Sequence, residues 1–532
     1  MKGQNTKHEV PEHAMFWKIS DSEERPKYHL EVRRNGQPVK ERKYHVIPRV
    51  GPPHGFGVFN NSVDAVERAL VERYFLCKTG NEFLPALVTS PAEWTRTHLD
   101  TFRSKVVDDV SKLATVVSLR DVVTCYTGAK RRVYERAWRS LQRRALHPGD
   151  ANLRPFTKFE KQLLTKAPRI INPRSPRYNL SLGRYLKKAE KIYFAAINEA
   201  WESTTSHTVI KGLNVFESAA VLKAKWDRFK RPVALGLDAE KYDMHVGVNA
   251  LKYEHGFYNQ VFGTPDLRDL LRQQLHNKGV ARCPDGEVVF RIAGTRCSGD
   301  LNTSLGNCLL MCALIYALCR ELGVEAELAN NGDDCVLMFE EENLDRVLDE
   351  VPLFFARYGF RMQVEDPAYE FEQVEFCQSR PVRLGGGWAM VRNVRTCLKK
   401  DPICLIPIQN DRVWRKWLAA VGECGLATVP GCPVLQSFYR AFMRSGTRCT
   451  RRFADAVFRN TSAMERAGGL SAVEAVVTDE ARVSFYNAFG ILPDMQLELE
   501  KYYDGVTIGS VVNCEQQSGV VEMRPIPMLR HL

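Results

Sequence analysis

Two rhythms of apolar positions divide the chain. Residues 63–74, 134–144, 411–421, 434–443 and 472–487 repeat apolar residues at helical spacing, and each predicts an amphipathic helix. Residues 28–33 and 43–50 read as basic, strand-like pieces, followed by a Pro/Gly loop, VGPPHGFGVF. Between the helical stretches the pattern changes. VALGLDAEKYD is an apolar strand that ends in acidic residues, and AELANNGDDCVLMF is two short apolar runs around a tight acidic turn. Residues 303–319 form one long apolar helix preceded by a Gly/Ser turn. A strand, a helix and a hairpin are therefore expected, with a second hairpin turning at Gly385-Gly386-Gly387 and a Pro-containing tail, MRPIPMLRHL, at the end.

Composition narrows the class. With 532 residues, 44% hydrophobic and 26% charged, the chain is long enough for several domains and too balanced to be disordered, collagenous or a coiled coil. Its 75 Lys and Arg exceed its 63 Asp and Glu, so the net charge of +12 favours an anionic partner, nucleic acid or a membrane surface. The 15 cysteines form no CxxC pair, which argues against a zinc module or disulfide scaffold and for a reducing cytosol. MKGQNTKHEV lacks the apolar core of a secretory signal, and the run 309–319 is shorter than the roughly 20 residues of a membrane-spanning helix. Charge is also segregated. Residues 151–200 hold 11 basic and 3 acidic residues, whereas residues 321–380 hold 16 acidic and 4 basic ones.

The acidic lobe carries the first candidate chemistry. Asn330, Asn331, Gly332 and Asp333 tolerate the backbone angles of a tight hairpin turn, which would present Asp333 and Asp334 at its tip. Alone, GDD means little, since it occurs by chance in roughly one in ten chains of this size. A second pair, Asp238 and Asp243 at the end of an apolar strand, changes its weight. Converging carboxylates are the ligands Mg²⁺ prefers, and two such ions about 4 Å apart activate a hydroxyl and stabilise a leaving group. CSGDLNTSLGNC supplies the third element: a flexible Ser298-Gly299 turn, then polar residues Asp300, Asn302 and Thr303 on the first turn of the apolar helix.

In order and spacing, LDAEKYD, SGDLNTSLGN and NGDD resemble motifs A, B and C of positive-strand viral RNA-dependent RNA polymerases. KAPRIINPRSPRYNLSLGRYL, KGLNVFE, FARYGF and VEFCQSRPV extend the resemblance to the Tombusviridae type, carmovirus- and umbravirus-like, over roughly residues 120–400. The resemblance implies an α/β (α+β) right-handed polymerase: a palm with an antiparallel sheet and helices, basic fingers and a helical thumb. It assigns 1–115 to an N-terminal region within the fingers, 116–230 to fingers, 231–390 to the palm with an insertion at 265–293, and 391–532 to the thumb and tail. Asp238, Asp333 and Asp334 would hold two Mg²⁺ ions, with Mn²⁺ able to substitute. Asp243, Ser298 and Asn302 would read the ribose 2′-hydroxyl, which distinguishes RNA from DNA precursors. Arg169, Arg174 and Lys158 would bind the nucleotide triphosphate, and Lys161, Lys166, Lys130 and Arg131 the RNA.

One departure from the family is visible: no Lys or His lies between Asp334 and Lys399 to protonate the leaving pyrophosphate, and the Arg357 and Arg361 guanidinium groups are poor proton donors. Template and nascent RNA and NTPs are the implied partners. A viral auxiliary replication protein is a further one, supplying a membrane anchor and placing the chain at membrane-bound replication complexes in the host cytoplasm. A reverse transcriptase shares the palm but excludes the 2′-hydroxyl. A non-catalytic RNA-binding protein would account for the basic lobe and not for the carboxylates.

Overall fold

A computed structural model describes residues 1–8, 10, 28–52, 54–458 and 463–509; the Pro-containing tail lies outside them. At its centre is a four-stranded antiparallel sheet, which holds the apolar strand and the hairpin expected from the sequence and adds a fourth, Met362–Val364. Its strands are β1 (Pro232–Ala239), β2 (Ala326–Asn331), β3 (Asp334–Glu340) and β4 (Met362–Val364), in the order β2-β3-β1-β4. Successive side chains of a strand point to opposite faces, and here both faces are covered. Val233, Leu235 and Leu237 join a core with five helices: α1 (Thr97–Leu113), α2 (Glu190–Ala200), α3 (Val248–Phe262), α4 (Thr303–Leu322) and α5 (Leu344–Arg357). Ala234, Val336 and Met338 face the other way, against Leu222 and Trp226 of the helix Val215–Trp226.

Helix α4 is apolar all round because it is buried all round: every residue from Leu305 to Cys319 lies inside the protein. It is the one helix among the described residues long and apolar enough to cross a membrane, and here its body is core. The helices Asp411–Leu426, Leu435–Ser445, Asp479–Phe489 and Pro493–Gly505 build a second core, in which Trp414 and Trp417 stack at 5.0 Å. The expected helix over 472–487 begins seven residues late. Thr478 accepts from the Ala481 N–H and caps the helix at that point, so residues 472–477 stay irregular.

The N-terminal stretch has no fold apart from the rest. Tyr28–Arg34 is a third strand on the hairpin His276–Cys283/Gly286–Ala293. Of the expected strand 43–50, Lys43 bridges Lys2 and His45–Val46 pairs with Ile403–Cys404; Pro48 has no N–H with which to continue it. The Tyr503 hydroxyl donates to the Val50 carbonyl at 3.0 Å. Val63–Leu70 and the wider π-type turn Val71–Phe75 pack on Val288, Phe290 and Ile292.

Glu327 on β2 shows how buried charge is handled. It accepts from Lys225 (2.8 Å), Arg228 (2.9 Å), Ser203 (2.7 Å) and Thr204 (3.0 Å), and its side chain is 1% exposed. Burial alone would raise its pKa; Lys225 and the hydrogen bonds outweigh that and hold it at about 2, against 4.5 for an ordinary Glu. Because the folded value is depressed, the stabilisation is complete above about pH 4.5 and is lost as pH falls toward 2. Glu327→Gln is expected to destabilise the protein by about 3–5 kcal/mol at pH 7 by leaving the buried Lys225 without its counter-charge. In urea unfolding the gap between the two proteins should narrow below about pH 4.5 and close only toward pH 2.

Candidate active site

Asn331 pairs with Asp334, so the hairpin turns on two residues, Gly332 and Asp333. Of the two only Gly332 takes positive φ, 93°, the first-position glycine that a II′-type hairpin turn requires. Asn330 laces the turn: its side chain donates to the Gly332 carbonyl (2.7 Å) and accepts from the Gly332 N–H (3.1 Å). On the next strand Cys335 pairs with Leu237, and one more step of that register sets Asp334 opposite Asp238. Three solvent-reached carboxylates, Asp238, Asp333 and Asp334, therefore meet at one edge of the sheet.

Their electrostatics are those of a like-charge cluster. Partial burial, then the Asp333 charge, raises the pKa of Asp238, with Lys166 pulling it back. Asp334 is pushed up to about 6 by burial, Asp333 and Asp238. Asp243 also reaches about 6: burial raises it, the Ser298 hydroxyl donating at 2.5 Å lowers it, and Asp333 raises it again. Among the described residues no three His, Cys, Asp or Glu side chains stand together at ligating distance. Carboxylates that repel one another are expected to splay, and their donor chemistry, oxygen only and solvent-reached, fits a hard divalent cation such as Mg²⁺.

The Ser298 loop is pressed against the basic segment. The Asn172 N–H donates to the Ser298 carbonyl at 2.7 Å, and a Cβ on Gly299, whose φ is +126°, would lie 3.1 Å from the Asn172 backbone. Only glycine fits there.

The expected basic residues divide. Arg169 is 59% exposed, 3.5 Å from Glu160, and Lys158 pairs with Glu160 at 2.7 Å. Lys166 is exposed within electrostatic reach of Asp238. Lys130 lies over the Tyr126 ring and Arg131 pairs with Glu135, both on the exposed face of Gly128–Arg143. Two expectations need correction. Arg174 is buried, its guanidinium spent on Asp300 (2.6 Å), Asn277 (2.6 Å) and the Ala151 carbonyl (2.7 Å), so it cannot clamp a phosphate. Asn302 is 1% exposed and bonded to Glu254 (2.7 Å) and Gln274 (2.9 Å), which removes it from the sugar site. Lys161, half-buried, lines a cavity with Lys158, Arg169 and Lys400 and donates to the Lys400 carbonyl (2.7 Å); burial, partly offset by Asp401, lowers its pKa to about 8.

Other residues were not anticipated. Lys211 donates to the Asn331 side chain at 2.6 Å and steadies the hairpin; it is the one cation of the KGLNVFE block, which was the signal for it. Asn307 has its Cβ 3.5 Å from where a Cβ on Gly332 would stand, and it shares a helix face with Thr303, four residues earlier. Arg73 and Tyr74 approach Asp243 from the N-terminal π-type turn, and Arg73 donates to the Ala167 carbonyl at 3.2 Å. No local pattern marks them. Cys377, at φ +52°, lies 3.7 Å from Asp334.

A mixed α/β protein with a carboxylate-tipped hairpin beside an acidic strand end, facing a basic segment, is the class this geometry defines. Comparison with known proteins agrees: the family described as viral RNA-dependent RNA polymerase matches residues 30–511. The RNA-directed RNA polymerase of Tobacco necrosis virus (strain A) is 39% identical over 475 residues, 88% of this chain and 65% of that protein. That of Tomato bushy stunt virus (strain Cherry) is 41% identical over 480 residues, 89% and 57% respectively, and that of Turnip crinkle virus 39% over 483, 88% and 61%. The chain belongs to the viral RNA-dependent RNA polymerase family, and it spans about three fifths of the length of these relatives.

Proposed function

We propose that the chain is an RNA-directed RNA polymerase, a nucleotidyltransferase that copies a positive-strand viral RNA genome, with the central sheet as palm, the basic segment in the fingers and the C-terminal helices as thumb. The observation that carries this reading is the meeting of Asp238, Asp333 and Asp334 at one sheet edge with the Asp243–Ser298 pair alongside. Asp238 and Asp333, with Asp334 adjacent, would hold two Mg²⁺ ions or their Mn²⁺ substitutes. When bound, such ions lower the pKa of an attacking RNA 3′-hydroxyl and stabilise the departing pyrophosphate.

The chain's own groups do the rest. Asp243, oriented by the Ser298 hydroxyl, accepts from the ribose 2′-hydroxyl, and a buried acceptor left unpaired by a deoxyribose penalises the wrong sugar. Arg169 and Lys158 draw the triphosphate in, while Lys166 offsets the negative field at Asp238. Arg357 pairs with Glu321 and Glu350 and Arg361 donates to the Pro85 carbonyl, and a guanidinium is in any case a poor proton donor for the leaving group.

The same reading places the protein in the host cytoplasm, at membrane-bound replication complexes reached through a viral auxiliary replication protein or an upstream segment. The test is incorporation of a labelled ribonucleotide by the purified chain on a short RNA template with Mg²⁺. Template-dependent product is expected. A folded protein that binds RNA in a salt-sensitive way and incorporates nothing would favour the non-catalytic reading.

A further inference from the structure

Beside the carboxylate cluster lies a buried polar network that no step of nucleotidyl transfer touches. Glu254 on α3 and Arg296 form an ion pair with side chains 0% and 1% exposed. The carboxylate also accepts from the Tyr258 hydroxyl (2.9 Å) and from Asn302 (2.7 Å). Arg296 in turn makes two connections of another kind. Its backbone N–H donates to the Asp243 carbonyl at 2.8 Å, and its Nε donates to the Asn307 side chain at 2.9 Å. One buried residue thus joins the segment after β1 to helix α4, and both of the residues it grips, Asp243 and Asn307, border the Gly332–Asp333 turn.

Stability alone is a weak reason for such a pair, because apolar side chains of similar volume do as well in a protein interior. What they cannot reproduce is the planar fork, which bonds Glu254 and Asn307 together in fixed directions. We infer that Arg296, held by Glu254, is a positioning residue that fixes Asp243 relative to Asn307 and thereby sets the preference for ribose over 2′-deoxyribose. The inference rests on the polymerase reading above. Selection by hydrogen bonds depends on holding the partner groups close to their productive geometry, and a loosened support shell forfeits it.

The test compares kcat/KM for CTP and 2′-dCTP on an RNA template with Mg²⁺, normalised to active sites by burst amplitude, for the wild-type chain and Arg296→Lys. Lysine keeps the charge beside Glu254 and lacks the fork. The preference for CTP is expected to fall by about tenfold, chiefly through a higher KM for CTP, with dCTP little affected. A merely structural role would lower the burst amplitude and leave the ratio unchanged, and an unchanged ratio in active Arg296→Lys overturns the inference while the polymerase reading stands. Should that variant not fold, Glu254→Asp, which keeps both charges and shortens the reach, is read by the same ratio. A wild-type chain that incorporates neither nucleotide overturns both.

Discussion

Asp333→Asn is expected to reduce templated incorporation by roughly 10³-fold or more, since a carboxylate at the reacting centre works through several kcal/mol of charge stabilisation. Asp333 is the sharper choice among the cluster because its charge is felt by all the others: it raises Asp238, Asp243 and Asp334 together. Asparagine suits the same turn position, and the residue is exposed, so the unfolding free energy should change by about 0.5 kcal/mol or less. With one like charge gone, the pKa values of its three neighbours should fall, an effect readable by carboxyl NMR titration. Single-nucleotide incorporation beside a urea unfolding curve checks the first two statements. A variant that keeps templated incorporation sinks the assignment of the site.

Arg174→Met is expected to act on the fold. The guanidinium side chain is 1% exposed and that of Asp300, its partner at 2.6 Å, is 4% exposed; removing the cation leaves a carboxylate buried without its counter-charge, at about 3–5 kcal/mol. Asp300 lies two residues from Ser298, so activity should fall with stability. Urea unfolding and nucleotide KM, measured on the same preparation, distinguish this from a phosphate clamp. A clamp residue would raise KM and leave the unfolding curve where it was.

How much of this was legible in the sequence differs element by element. The hairpin was, because two apolar runs around Asn-Asn-Gly-Asp specify both the strands and a turn with glycine at its first central position. The strand ending at Asp238 was legible for the same reason. Which strand lay beside which was not: the register that sets Asp334 opposite Asp238 joins residues nearly a hundred positions apart. Arg174 was misread because an arginine in a basic run looks alike whether it faces solvent or a buried Asp300 supplied from 126 residues further on. Asn302 and Asn307 occupy one block, and the choice between them turns on where α4 begins. Once Thr303 opens the helix, Asn302 sits at its cap and turns toward Glu254, while Asn307 falls on the face toward Gly332. Arg73 and Tyr74 were beyond reach, since only tertiary contacts bring them to Asp243.

The interleaving of the N-terminal strands with later ones sets an order on synthesis. Tyr28–Arg34 cannot find its partner until Gly286–Ala293 has been made, and His45–Val46 waits for Ile403–Cys404. At ribosomal rates the first wait is on the order of tens of seconds, during which the earliest segments are held open with their edges unpaired. The turn that carries Arg73 and Tyr74 to Asp243 packs on that same late hairpin. The carboxylate cluster is therefore assembled only after residue 334 has been made, and a ribosome that stops short of residue 286 releases a chain with neither the N-terminal sheet nor the hairpin at Gly332.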